Sequence, residues 1–172
     1  MALHSKERLK KSSPNGNRRF RYEWAKKFIR ETDVVLDVGC GSGYGREILE
    51  PVCTSYLSVD YTPEAEPDIV ADFNEYTPDF EYDVFIGFES IEHIKNTAHY
   101  VEMAKRAKTD IFITCPASET ISWNPHHVYD FSVPDILRLF EDKDWKVDEH
   151  FLRIVKRGKL VQQCWHFIKI PF

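Results

Sequence analysis

The stretch VVLDVGCGSGYG, from Val34 to Gly45, constrains this chain more than any other. A β-branched apolar run carries one acid, Asp37, and is followed by glycines at alternate positions, Gly39, Gly41, Gly43 and Gly45. Such a run bounded by glycine reads as a buried strand. Glycines directly after it permit positive φ and let a ligand press against bare backbone. The segment YGREILE then starts a helix that Pro51 closes off, and a helix start offers N–H groups without helical partners. Strand, glycine turn and helix in that order make the first unit of an open parallel sheet. Ligands of such sheets sit at the carboxyl ends of the strands.

The remaining pattern extends that unit. FRYEWAKKFIRE places Phe20, Trp24 and Phe28 on one helical face. SYLSVD, DIVADF, YDVFIGF and DIFITCP read as further strands, and NTAHYVEMAKRAK has helical spacing. Ser132 is a candidate N-cap for VPDILRLFED, with Pro134 in the first turn. KVDEHFLRIV and KLVQQCWHFIKI alternate with period two around the turn KRG and read as an antiparallel pair. The expected fold class is α/β: a mostly parallel seven-stranded sheet, an antiparallel C-terminal hairpin and helices on both faces. YTPEAEP, between Asp60 and Asp68, is short for a parallel crossover. Either its helix is cut to a single turn or one flanking strand is marginal. A chain of 172 residues fits one core. The expected organisation is a basic tail over 1–17, set off by the turn cluster SSPNGN, and a single domain over 18–172.

The glycine spacing is D-x-G-x-G-x-G-x-G, not the G-x-G-x-x-G of dinucleotide sites. That suits a nucleoside ligand with no pyrophosphate to cradle. Asp60 ends the second strand, where a carboxylate can accept both hydrogens of a ribose diol. Asp72 is expected to end the third strand and accept from an adenine amino group, with Phe73 packed on the ring. Asp72 can equally be a turn former. Gly45 reads as a site of close helix packing.

In order along the chain, these segments resemble the class I S-adenosylmethionine-dependent methyltransferases. VLDVGCGSGYG is similar to the family's first motif, SVD to its ribose-binding acid, ADF to its adenine motif and FIGFESIEHI to its fourth-strand motif. The resemblance implies a Rossmann-like methyltransferase sheet and S-adenosylmethionine as cofactor. It places Asp37, Gly39, Cys40, Gly41 and Gly43 on the cofactor, with Asp60, Tyr61, Asp72, Phe73, Phe88 and Tyr22 in the same set. Asp37 can instead orient the glycine loop. RRFRYEWAKKFI, FESIEHI and NPHHVYDFS together resemble methyltransferases found with glycan-assembly enzymes. That implies a sugar hydroxyl as acceptor and an association with such enzymes. Trp123, Tyr129 and Phe131 around Asn124, His126 and His127 suit a sugar ring or another small polar molecule.

A hydroxyl acceptor must lose its proton during attack, so a base, usually histidine, is expected. His93 follows the fourth strand, and His126 and His127 lie in the loop after the fifth. His127 matches the recurring histidine of the family's N-P-x-H segment and is the favoured base. A metal held by His93, His126 and a carboxylate has no convincing ligand spacing behind it, so no metal is expected.

Other classes are excluded or set aside. A net charge of −5 argues against broad phosphate-backbone binding, although the first 21 residues are basic, as a solvated tail or as a flap over an anionic ligand. No Asn/Asp-Pro-Pro-aromatic motif follows the fourth strand, so nucleic acid is not the expected partner. The cysteines Cys40, Cys53, Cys115 and Cys164 form no C-x-x-C pair, and without a secretory signal they read as reduced thiols in a cytoplasmic protein. No membrane span is expected. Two other readings stay open: methylation of a phenol, acid or amine, and cofactor binding without catalysis.

Overall fold

A computed structural model describes residues 16–117, 119–155 and 160–171. Its seven strands are β1 (Val34–Val38), β2 (Ser55–Asp60), β3 (Ile69–Val70), β4 (Val84–Phe88), β5 (Asp110–Pro116), β6 (Trp145–Val155) and β7 (Leu160–Lys169). They form one sheet in the order β3-β2-β1-β4-β5-β7-β6. Pairings from β3 to β5 are parallel, and β7 runs antiparallel to both β5 and β6. The expected fold class is therefore the observed one. The expected tail lies outside the described residues up to position 15, as does the hairpin turn at 156–159. The turn cluster SSPNGN is outside them too, except for its last two residues, which open the first helix.

The central strands are apolar on both faces because both faces are covered. β4 and β5 are buried along their whole length. Successive side chains of a strand point to opposite faces. Leu36, Phe85, Ile111 and Ile113 thus share one core with α3 (Thr97–Lys105) and α4 (Val133–Phe140). Val35, Val84, Ile86 and Phe112 share the other with α1 (Gly16–Ala25) and α2 (Tyr44–Leu49). Helix α1 begins earlier than its apolar spacing suggested and stops at Ala25. Trp24 is buried, its ring edge-on to Phe112 at 5.3 Å, whereas Phe20 is exposed on the far end of the face.

Both halves of the crossover alternative hold. YTPEAEP makes only a single 3-10 turn, Pro63–Ala65, and β3 has two residues. Asp72 therefore does not end the third strand as expected: it lies two residues beyond it, where it starts a turn. The N-terminus of α4 is built as its sequence indicates, with Pro134 in the first turn and Asp135 accepting from the Ser132 N–H at 2.8 Å. Asn96 caps α3 by accepting from the His99 N–H at 3.3 Å.

Gly87, in the middle of β4, lets Tyr100 cross the sheet face. A Cβ at Gly87 would stand 1.8 Å from the Tyr100 hydroxyl, which is hydrogen-bonded to Ser90 at 2.7 Å. Gly87→Ala should therefore destabilise the fold by about 1–3 kcal/mol through overpacking. Urea unfolding checks this, and an unchanged midpoint would refute it.

Candidate active site

The strand order reverses between β1 and β4, and ligands of open α/β sheets bind outside the carboxyl ends of strands at such a switch point. A cleft of about 580 Å³ lies there. That is within the roughly 300–1,000 Å³ of small-molecule sites. Of the cofactor residues expected from the sequence, Tyr22, Gly39, Cys40, Gly41, Asp60, Tyr61, Asp72, Phe73 and Phe88 line it. So do the three candidate bases His93, His126 and His127.

Asp37 and Gly43 are not in that wall. Asp37 is fully buried and accepts hydrogen bonds from the hydroxyls of Tyr22, at 3.0 Å, and Tyr56. It supports the wall through Tyr22. Burial pushes its carboxyl up to about 6 although both tyrosines and Arg21 favour the anion. Gly43 turns the chain into α2 with φ +76°, the left-handed region that glycine adopts without strain. Gly45 meets its packing expectation: a Cβ there would lie 2.3 Å from the Tyr56 hydroxyl and 2.6 Å from Asp37.

The glycine loop leaves room for a ligand. Gly39 and Gly41 have φ of +76° and +56°. A Cβ built on Gly41 would meet only the Gly39 carbonyl, at 3.9 Å, among the described residues, so that side is left open to a ligand. Asp60 secures the loop by accepting from the Gly41 N–H at 3.1 Å and from the Thr62 N–H at 2.9 Å. Asp72 Oδ1 accepts both the backbone and side-chain N–H of Asn74, at 2.9 and 2.7 Å. The turn-forming reading of Asp72 is therefore realised, and its carboxylate still borders the cleft.

At the other end of the cleft the loop after β5 folds against the turn after β4. The rings of His93 and His127 stand edge to face with centroids 4.7 Å apart. His93 Nδ1 lies 2.9 Å from the His126 carbonyl, an acceptor only, so Nδ1 carries the proton. His127 Nδ1 lies 2.5 Å from Thr120 Oγ1, which also lies 2.7 Å from Asp130 Oδ1. The Thr120 hydroxyl has one hydrogen. With Asp130 ionised, that hydrogen goes to the carboxylate and Thr120 must accept from His127. Hydrogen bonds from Thr120 and Ile121 outweigh partial burial and hold Asp130 below the usual carboxylate range. Both neutral imidazoles thus carry their lone pair on Nε2. His126 contributes its carbonyl to this arrangement as well as its side chain to the wall.

Two acids of the same wall were not singled out in the sequence. Glu89 has φ +54° and accepts from Gln162 Nε2 at 2.8 Å and Thr114 Oγ1 at 3.2 Å, with Arg21 3.5 Å away. Glu92 is 1 % exposed. Burial first, and the nearby Glu89 second, raise its carboxyl well above the usual carboxylate range. The two glutamates of ESIEHI were legible as charges, but only the fold reveals that the second, Glu92, is sealed inside. The expected aromatic surround is smaller than anticipated. Trp123 borders the cleft and is half exposed, but Tyr129 and Phe131 do not line it and pack on each other at 5.8 Å.

Comparison with known proteins identifies the domain that holds this cleft. A family model described as a methyltransferase domain matches residues 14–166. A Mycolicibacterium smegmatis protein named "Probable S-adenosylmethionine-dependent methyltransferase" is 24% identical over 135 residues, 67% of this chain and 52% of that protein. The chain spans about half the length of the curated relatives it matches. Among solved structures, the N-methyltransferase NodS of Bradyrhizobium japonicum with S-adenosyl-L-homocysteine superposes with a TM-score of 0.70 at 12% identity, covering 90% of this chain and 85% of that one. The magnesium protoporphyrin IX methyltransferase of Synechocystis, also with that product bound, superposes with a TM-score of 0.70 at 11% identity, over 90% and 84%. At such identities these two likenesses concern the fold.

Proposed function

The chain belongs to the methyltransferase domain family, and from that premise we propose that it methylates a hydroxyl oxygen, with a sugar hydroxyl of a glycan as the acceptor class. S-adenosylmethionine supplies a methyl group on a sulfonium: the new O–C bond forms as the S–C bond breaks, sulfur keeps the electron pair and the acceptor's proton leaves. The residues of the glycine loop fit this cofactor, because a side chain at Gly41 would meet little but the Gly39 carbonyl and the loop lines the cleft together with Asp60, while Gly39 lets the loop pass close to Ser90. Asp60 would hold the ribose, with Tyr61, Asp72 and Phe73 at the adenine side.

The observation that carries the hydroxyl reading is the His93–His127 pair at the opposite end of the cleft. Its tautomers are set by the His126 carbonyl and by Thr120, so each neutral ring carries its lone pair on Nε2. A hydroxyl is a poor nucleophile until its proton leaves, whereas an amine already has a lone pair. Two imidazole lone pairs serve a hydroxyl either by taking the proton or by holding a cation that acidifies it. Trp123, Asn124 and His126 beside them favour a sugar, since an aromatic face flanked by amide and imidazole groups suits a ring with several hydroxyls. An association with glycan-assembly enzymes belongs to the same proposal.

The test is transfer of labelled methyl from S-adenosylmethionine to a panel of sugars and glycans, set against phenols, carboxylic acids and amines. Labelled ethers of the sugars support the reading. Product only from amines or acids overturns it. For the cofactor half, Asp60→Ala should weaken calorimetric binding of S-adenosylhomocysteine about tenfold or more, since a hydrogen bond to a charged group contributes roughly 1.5–3 kcal/mol. Equal affinity would move the ribose contact elsewhere.

A further inference from the structure

We infer that Glu92, His93 and His127 form a binding site for a divalent transition-metal cation at the acceptor end of the cleft. One ligand atom from each of the three residues lies within 4.8 Å of the others. All three residues line the cleft. The inference deepens the hydroxyl-methylation reading and rests on it for the cation's role, although not for its binding.

Glu92 supplies the independent observation. Both its carboxylate oxygens are buried and find no hydrogen-bond donor among the described residues. Buried acids of folded proteins are kept neutral unless they are paired, hydrogen-bonded or bound to metal. Here two imidazoles offer ligand atoms within 4.8 Å, and they are cation ligands in their neutral form. The outer shell is also of the kind metal sites use. A ligating histidine generally donates its second ring N–H to a carbonyl or carboxylate, which fixes the tautomer and orients the ring. His93 does so to the His126 carbonyl, and His127 does so through Thr120 to Asp130.

The donor set selects the cation. Two imidazole nitrogens and one carboxylate suit Mn²⁺, Fe²⁺, Co²⁺ or Zn²⁺, whereas Mg²⁺ and Ca²⁺ favour oxygen ligands throughout. Three protein ligands leave coordination positions open. An acceptor hydroxyl, or two neighbouring hydroxyls of one sugar, would occupy them. Bound there, the hydroxyl becomes a stronger acid, as metal-bound water does. Its proton would pass to solvent through the cleft, so neither imidazole ligand would have to leave the cation to take it.

Binding is tested first without acceptor. The full chain, stripped with chelator and dialysed, is titrated with Mn²⁺ by electron paramagnetic resonance and with Zn²⁺ by calorimetry. The expected result is one saturable site per chain, weakened at least about tenfold in Glu92→Gln and in His127→Ala. Glu92→Gln is near-isosteric, His127 is partly exposed, and retained S-adenosylhomocysteine binding in each variant shows that the fold persists. No saturable binding of either ion, or binding that both variants leave unchanged, overturns the site. Activity then separates the two proposals. Sugar methylation that continues undiminished in excess chelator ends the cation's role and leaves the function standing. Saturable metal binding with no sugar ether formed ends the hydroxyl reading and leaves the site standing.

Discussion

His127→Ala should lower turnover on a hydroxyl acceptor by roughly 10²–10⁴-fold and leave affinity for S-adenosylhomocysteine nearly unchanged. The separation of effects follows from position. His127 belongs to the loop after β5, held by Thr120, whereas Gly39 and Gly41 belong to the turn after β1 and Asp60 ends β2. Thr120→Val should lower turnover less, because it removes the acceptor that sets the tautomer and keeps the ring. The rate should also fall on the acid side of the pH profile, since either way of activating a hydroxyl needs Nε2 unprotonated. His126→Ala should keep the His93 contact, which is made by the position-126 carbonyl that alanine retains, so its effect should fall on the acceptor KM more than on turnover. Near-normal turnover in His127→Ala and His93→Ala alike would remove histidine from the chemistry and leave the rate to positioning.

Stability should fall as pH rises from about 4 to 7, and Asp37→Asn should flatten much of that slope. Asp37, on β1, is sealed in by Tyr22 of α1, Tyr56 of β2 and the close approach of Gly45 on α2, with one oxygen shared by the two tyrosine hydroxyls and the other without a hydrogen-bond partner among the described residues. Burial raises its carboxyl from 3.8 to about 6. The folded state therefore binds this proton more tightly than the unfolded state. The favourable contribution is fully present below the unfolded value and is lost as pH climbs through the folded one. A shift of that size corresponds to on the order of 3 kcal/mol. Glu92 and Asp33, also raised chiefly by burial, act in the same direction, so the measurement is the difference between wild type and variant in urea unfolding across this range. Parallel curves would show that Asp37 is paired more completely than its surroundings indicate.

Asp37 and Glu92 mark the boundary between what a chain states and what a fold decides. The alternation of apolar strand and helix, the glycine turn after β1 and the period-two hairpin are local signals, set by backbone sterics and by the spacing of apolar side chains. They sufficed for a mostly parallel sheet with an antiparallel end, and they put Asp60 at the carboxyl edge, where it lines the cleft. The motif resemblance indicated S-adenosylmethionine and the methyltransferase family, to which the chain belongs. The shortness of YTPEAEP likewise announced a reduced crossover, which the single 3-10 turn realises.

Burial and side-chain direction were decided by tertiary structure, because both depend on residues distant in the chain. Asp37 looked like a cofactor contact, but Tyr22 and Tyr56 enclose it and turn it into a support. Tyr129 and Phe131 looked like acceptor walls, but packing draws them away from the cleft. His126 seemed the partner of His93, yet it is the next residue whose ring closes on it, because the position-126 carbonyl accepts the His93 N–H. No spacing rule joins Glu92 and His93 to His127 across more than thirty residues. That meeting comes from the parallel pairing of β4 with β5, which brings the turns after both strands to one edge of the sheet.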